Sequence, residues 1–189
     1  MQYIDWQPQI GDPTFAGWVT VFSYFLATFL AFRAYQHSQK LILIPHSKQC
    51  LFWLWIGLFS FLMGINKQLD LQSLLTAVGK FFAHQQGWYN DRKIVQGFFI
   101  IMIFVLGIYL ISWGLRFFNQ ILRHNWLAFA GMIFLILFIL IRATSFHHMD
   151  KLIGTDFFGL KLNWLLELTG IYCITFNALW ILKPPKITS

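Results

Sequence analysis

The chain of 189 residues is 58% apolar and only 11% charged, with a mean hydropathy of +0.61, against about 45–50% apolar and about 25% charged residues in ordinary soluble domains. Twenty-two Phe, nine Trp and six Tyr make 20% of it aromatic. With that composition the formal net charge of +7 is read against a membrane surface, and a disordered tail or a nucleic-acid-binding domain is excluded.

In chain order, residues 1 to 16 carry Pro8, Gly11 and the Asp12-Pro13 pair, a turn-forming stretch beside Trp6. A helix crosses the hydrocarbon core in about 20 residues, with a range of about 17–25. The first stretch that qualifies runs from Gly17 to Tyr35. No basic residue precedes it, since Arg33 stands at its far end, so it is expected to stay as an anchor and not to be cleaved as a signal peptide. A connector with Pro45 and His46 leads to a second span, Cys50 to Ile65. After Asp70, apolar residues recur at Leu71, Leu74, Leu75, Val78, Phe81 and Phe82, the spacing of an amphipathic helix over about 70–86. It is too polar to span and is expected in the interface, ended by Gly87 and followed by Trp88 and Tyr89 at headgroup level. Three further spans follow: Val95 to Phe117, Trp126 to Ile141 and Leu162 to Leu182. The second and fourth spans are short and borrow flanking polar residues such as Asn66 and Arg142. The fold class is therefore all-α: a single polytopic membrane helix bundle of five transmembrane helices and one interfacial helix. No internal repeat is present, so an inverted-repeat transporter is not indicated.

With five spans the termini lie on opposite sides, and the 14 Lys and Arg residues divide equally between the two faces. The acids do not: Asp5, Asp12, Asp70, Asp91, Asp150 and Asp156 all fall on the face of the N-terminus, and Glu167 lies inside the last span. The basic residues that follow the first span favour an outer N-terminus and a cytoplasmic C-terminus, as in a bacterial inner membrane. Cys50 and Cys173 stand in no metal-ligand spacing and read as small core residues.

The densest polar cluster is RATSFHHMD, Arg142 to Asp150. His147 and Asp150, three apart, can share a metal; His148 points about 100° away from His147 on an ideal helix and joins them as a ligand where the helix ends there. With His84 from the interfacial helix as a further ligand, such a set suits zinc, iron or manganese. Asp70, Ser145 and His147 are the candidate catalytic groups, and Lys67, Arg92 and Arg142 the candidate cations for an anionic substrate. Glu167 is a costly charge within a span, and Arg142 is its expected partner in a buried ion pair. Each has a plainer reading: Asp70 as the N-cap of the amphipathic helix, Arg142 as a snorkelling cation, the histidines as a polar helix end. There is no HExxH, GxSxG, CxxC or P-loop. All six His lie in loops or at span ends, which disfavours haem.

The strings GDPTFAGW, GINKQLDLQ, QGWYNDRKIVQ and RATSFHHMD together resemble a family of small bacterial multi-pass membrane proteins, over most of the chain; the resemblance implies no activity. A looser similarity, in residue types alone, is to the zinc-holding membrane hydrolases of the alkaline ceramidase and receptor-like group, whose seven spans and HxxxH are missing here. The expected role is a binding or accessory protein with a polar site at the outer interface, partnered by membrane lipids or another membrane protein. The alternative is a metal-dependent hydrolase or transferase acting on a lipid. Transport through Glu167 and Arg142 ranks last, because the second and fourth spans offer almost no polar side chains to continue a path.

Overall fold

The structure is a computed structural model that describes residues 12–40, 46–87, 92–144, 156–157 and 160–183. The described residues form six helices: α1 (Phe15–Ser38), α2 (His46–Leu69), α3 (Leu71–Gln85), α4 (Arg92–Phe117), α5 (Asn119–Thr144) and α6 (Leu162–Leu182). Before α6, Asp156 pairs with Lys161 and Phe157 with Leu160 in a two-residue antiparallel ladder. Five of the helices are long and apolar enough to cross a membrane, the architecture of an integral multi-pass membrane protein. A 24-residue helix such as α1 is about 36 Å long, against a hydrocarbon core of about 30 Å. The ends therefore emerge into the headgroups, and α2 takes in Asn66 and Lys67 as α5 takes in Arg142.

Local chemistry starts α1. Thr14 is its N-cap: the hydroxyl accepts from Gly17 N–H at 3.1 Å and donates to Asp12 Oδ1 at 2.6 Å. A Cβ at Gly17 would overlap the Asp12 carbonyl and side chain, so in this DPTFAG run only glycine lets Asp12 fold back over the first turn. The corner between α2 and α3 is a single residue, Asp70, at φ 45° and ψ 52°. It is the one non-glycine residue with positive φ among those described, a conformation that Asp tolerates better than most side chains. Asp70 thus stands at the N-cap position of α3 without capping through its side chain; its carbonyl accepts from Ser73 N–H and Oγ–H instead. Gly87, at φ 77°, follows the end of α3.

The core lies between α1, α2, α5 and α6. α1 packs on α2 and α6, and α6 on α5. The inward stripe of α1 is Tyr24, Ala27, Ala31 and Ala34, all 0% exposed, and its small side chains let Trp53 and Ile56 of α2 close upon it. α5 and α6 cross at Gly131 and Gly170, where a Cβ on Gly131 would stand 2.6 Å from the Gly170 carbonyl oxygen. α4 packs mainly on α5 and exposes Ile94, Phe98, Ile101, Val105 and Tyr109 by more than half. Lipid is their solvent, which is why α4 is apolar all round.

Five crossings place the starts of α1, α4 and α6 and the ends of α2 and α5 on one side, the Asp12 face. The opposite ends form the Lys48 face. There Lys48 Nζ lies 5.3 Å above the Phe117 ring, which joins Trp113, Phe118 and Phe52 in an aromatic knot tying α2, α4 and α5 together.

Candidate functional site

Side chains on a helix lean towards its N-terminus. α1 and α6 begin on the Asp12 face, so Tyr24 and Glu167 lean up towards it, while α2 ends there, so Lys67 leans down into the bundle. The three converge. Lys67 Nζ donates to Glu167 Oε2 at 3.0 Å, and the Tyr24 hydroxyl donates to Glu167 Oε1 at 3.1 Å. Glu167 is 1% exposed and the Lys67 side chain 8%, so both charges are withdrawn from solvent and each carboxylate oxygen has its own donor. Glu167 is the sixth residue of α6, about 7–8 Å below its start.

Above the triad lies a looser rim. Asp12 Oδ2 is 3.8 Å from Lys67 Nζ, and Arg142 Nη2 is 3.7 Å from Asp70 Oδ1. Both distances exceed the 2.7–2.9 Å typical of charge-assisted hydrogen bonds, and the Arg142 and Asp70 side chains are about a third exposed, at 38% and 34%. Arg142 also stands within electrostatic range of the Tyr24 hydroxyl. Three carboxylates, on Asp12 before α1, Asp70 between α2 and α3 and Glu167 of α6, and two cations, Lys67 of α2 and Arg142 of α5, thus gather at the Asp12 end of the bundle.

The expected pairing of Glu167 with Arg142 needs correction: the cation bonded to Glu167 is Lys67, and Arg142 reaches Asp70. The reason is geometric. The long Lys67 side chain, starting above Glu167 on an opposed helix, reaches down to it, whereas Arg142 is two residues from the end of α5 and stays at the rim. His84 is exposed near the end of α3. Arg92 opens α4, and its side chain lies outside the described part, as do Ser145, His147, His148 and Asp150. Among the described residues no group of three or more His, Cys, Asp or Glu could hold a metal ion.

A second polar cluster, unforeseen in the sequence, lies towards the Lys48 face. α5 is kinked at Asn125 (φ −118°, ψ 15°), which opens the bond that Ala128 N–H would make to the His124 carbonyl. The Asn177 amide of α6 fills the gap: Oδ1 accepts from Ala128 N–H at 2.8 Å and Nδ2 donates to His124 O at 3.1 Å. A side chain has taken the place of one helical hydrogen bond. Asn125 in turn exchanges two amide hydrogen bonds with Gln49 of α2, at 2.8 and 3.2 Å, and donates to Ile121 O. All three amides are at least 94% buried. The signal that marks Gln49, Asn125 and Asn177 in the sequence is that they are amides in or beside apolar spans, which rarely carry them without a partner.

No family model, curated protein or solved structure matches this chain. The site has to be read from its own chemistry.

Proposed function

We propose that the protein is a binding or accessory component of a bacterial inner membrane, with the Asp12 face outside, and that this face engages a lipid headgroup or a partner membrane protein. The small bacterial multi-pass family that its sequence strings resemble is part of the same proposal. The observation that carries it is the two-layered site. A closed triad (Lys67, Glu167, Tyr24) sets the positions of α1, α2 and α6, and above it Asp12 and the partly exposed Asp70–Arg142 pair, 3.7 Å apart, bring charge of both signs to the surface of the bundle. Interfacial groups at this depth meet headgroups without leaving the bundle, and α3 extends the same surface.

The alternative, a metal-assisted hydrolase or transferase on a lipid, draws on Asp70 and Arg142 at the rim, with His84 and the Ser145, His147, His148 and Asp150 run that follows Arg142 in the chain; zinc, iron or manganese would be its metal. Native mass spectrometry of protein extracted in mild detergent separates the readings. Binding predicts a defined lipid or protein adduct that is lost in Arg142→Ala. About one equivalent of metal, lost in His147→Ala, would replace this reading with the enzymatic one. Neither adduct nor metal would overturn both.

A further inference from the structure

The two faces carry equal numbers of Lys and Arg, but every carboxylate belongs to the Asp12 face or to the site beneath it: no Asp or Glu stands in residues 13–69, 92–149 or 168–189. The Asp12 face is therefore balanced, and the formal net charge of +7 resides entirely at the Lys48 face. Membrane topology follows Lys and Arg and is nearly indifferent to acids, so an equal split of cations leaves the exclusion of carboxylates from one face without a topological cause. The helix dipole does not supply one either, because Lys48 stands in the first turn of α2, where the macrodipole disfavours a cation.

The cations of this face are paired with indoles. α4 ends there with Trp113 and Arg116, α5 begins there with Arg123 and Trp126, and α6 ends there with Trp180 and, one residue past it, Lys183. The members of each pair are three residues apart and so neighbour each other on one helix face. In all three the cation is nearer the helix end and the indole lies about 4.5 Å deeper. All six residues are exposed, the three indoles by 43%, 56% and 65% in chain order. Lys48 joins the first pair, since the Phe117 ring under its ammonium stacks on Trp113 with centroids 5.0 Å apart. A soluble acidic partner would meet the cations but not indoles a turn further in. A phospholipid meets both, because its ester carbonyls lie below its phosphate.

We propose that the Lys48 face binds anionic phospholipids, each tryptophan–cation pair holding one headgroup. The Arg or Lys donates to the phosphate, and the indole N–H, a donor only, donates to an ester carbonyl beneath it. With no carboxylate on this face the ammonium of a zwitterionic headgroup finds no partner, so the surface selects the net negative charge of a lipid such as phosphatidylglycerol. Each Lys or Arg close to an anionic surface strengthens association by about fivefold.

The test uses the full chain in phosphatidylcholine vesicles that carry a trace of spin-labelled phosphatidylglycerol or of spin-labelled phosphatidylcholine. The immobilised fraction in each electron spin resonance spectrum gives the relative association of the two lipids with the protein. At low salt, phosphatidylglycerol is expected to be preferred by about fivefold. The preference is expected to fall towards unity in the triple variant Arg116→Gln, Arg123→Gln and Lys183→Gln, and to persist in Arg116→Lys with Arg123→Lys, which keeps the charge. Lys80→Gln, which removes an exposed cation of α3 from the balanced face, is expected to leave it unchanged. Equal association of the two lipids with wild-type protein, a triple variant that keeps the wild-type preference, or a loss in Lys80→Gln as large as in the triple variant overturns the proposal. Both leaflets carry the same lipids, so the outcome does not depend on orientation. Arg142→Ala reads the Asp12 face and these variants the Lys48 face, so the two readings fail separately.

Discussion

The ion pair of Lys67 and Glu167 allows a quantitative test. At 3.0 Å two unit charges attract by about 5–6 kcal/mol at an effective dielectric constant of ~20, and desolvation offsets much of this. The net worth of the intact pair is therefore small, but removing one partner leaves the other charge buried and uncompensated, at about 3–5 kcal/mol. Lys67→Met and Glu167→Gln should each destabilise the bundle by about that amount, while the double variant, with no charge left to solvate, should lie within about 1–2 kcal/mol of wild type. Tyr24→Phe removes one hydrogen bond to the carboxylate and should cost about 1.5–3 kcal/mol. The assay is reversible unfolding in mixed micelles, closed as a double-mutant cycle. Two singles that each cost under about 1 kcal/mol, with effects that simply add, would refute the burial and pairing described for this site.

Three further outcomes follow from particular contacts. Asn177→Leu unpairs both Ala128 N–H and His124 C=O at the α5 kink, and unfolding in micelles should show a loss of about 2–6 kcal/mol, from ~1–3 for each group. Gly131→Val pushes branched carbons into the Gly170 carbonyl and should lower the melting temperature markedly, whereas Gly79→Ala, with open space around it, should leave it unchanged or raised. At Asp70, glycine relieves a left-handed backbone while alanine does not; both lose the Arg142 contact, so Asp70→Gly should be more stable than Asp70→Ala by about 1 kcal/mol.

The architecture was legible in the sequence because apolar runs near 20 residues have few solutions in a membrane. The last span, Leu162 to Leu182, coincides with α6, and Trp126, where the fourth span was expected to begin, follows the kink at Asn125. The polar stub of six residues before that kink continues the helix in a way that hydropathy does not reveal. The site was only partly legible. Lys67, Asp70, Arg142 and Glu167 stood out as charges near span ends, but their pairing depends on which way each helix runs and how far each side chain reaches, and neither is a property of spacing. Tyr24 was hidden among the phenylalanines of α1, distinguished only by sharing a stripe with Ala27, Ala31 and Ala34. The role of Asn177 requires a broken bond in another helix 49 residues away in sequence, which no local pattern encodes. Asp70 was legible as a helix boundary, but its side chain serves Arg142 and its carbonyl does the turn's bonding.

The most direct test of the arrangement is labelling with a membrane-impermeant maleimide, in a background where Cys50 and Cys173 are serine, of Asp12→Cys and Lys183→Cys in sealed, oriented membrane preparations. Five crossings with the charged site outside predict that Asp12→Cys reacts only from the outer side and Lys183→Cys only from the cytoplasmic side. Reaction of both from the same side would contradict the five-span bundle, and reaction from opposite sides in the reverse sense would place the Lys67–Glu167 site at the cytoplasmic surface.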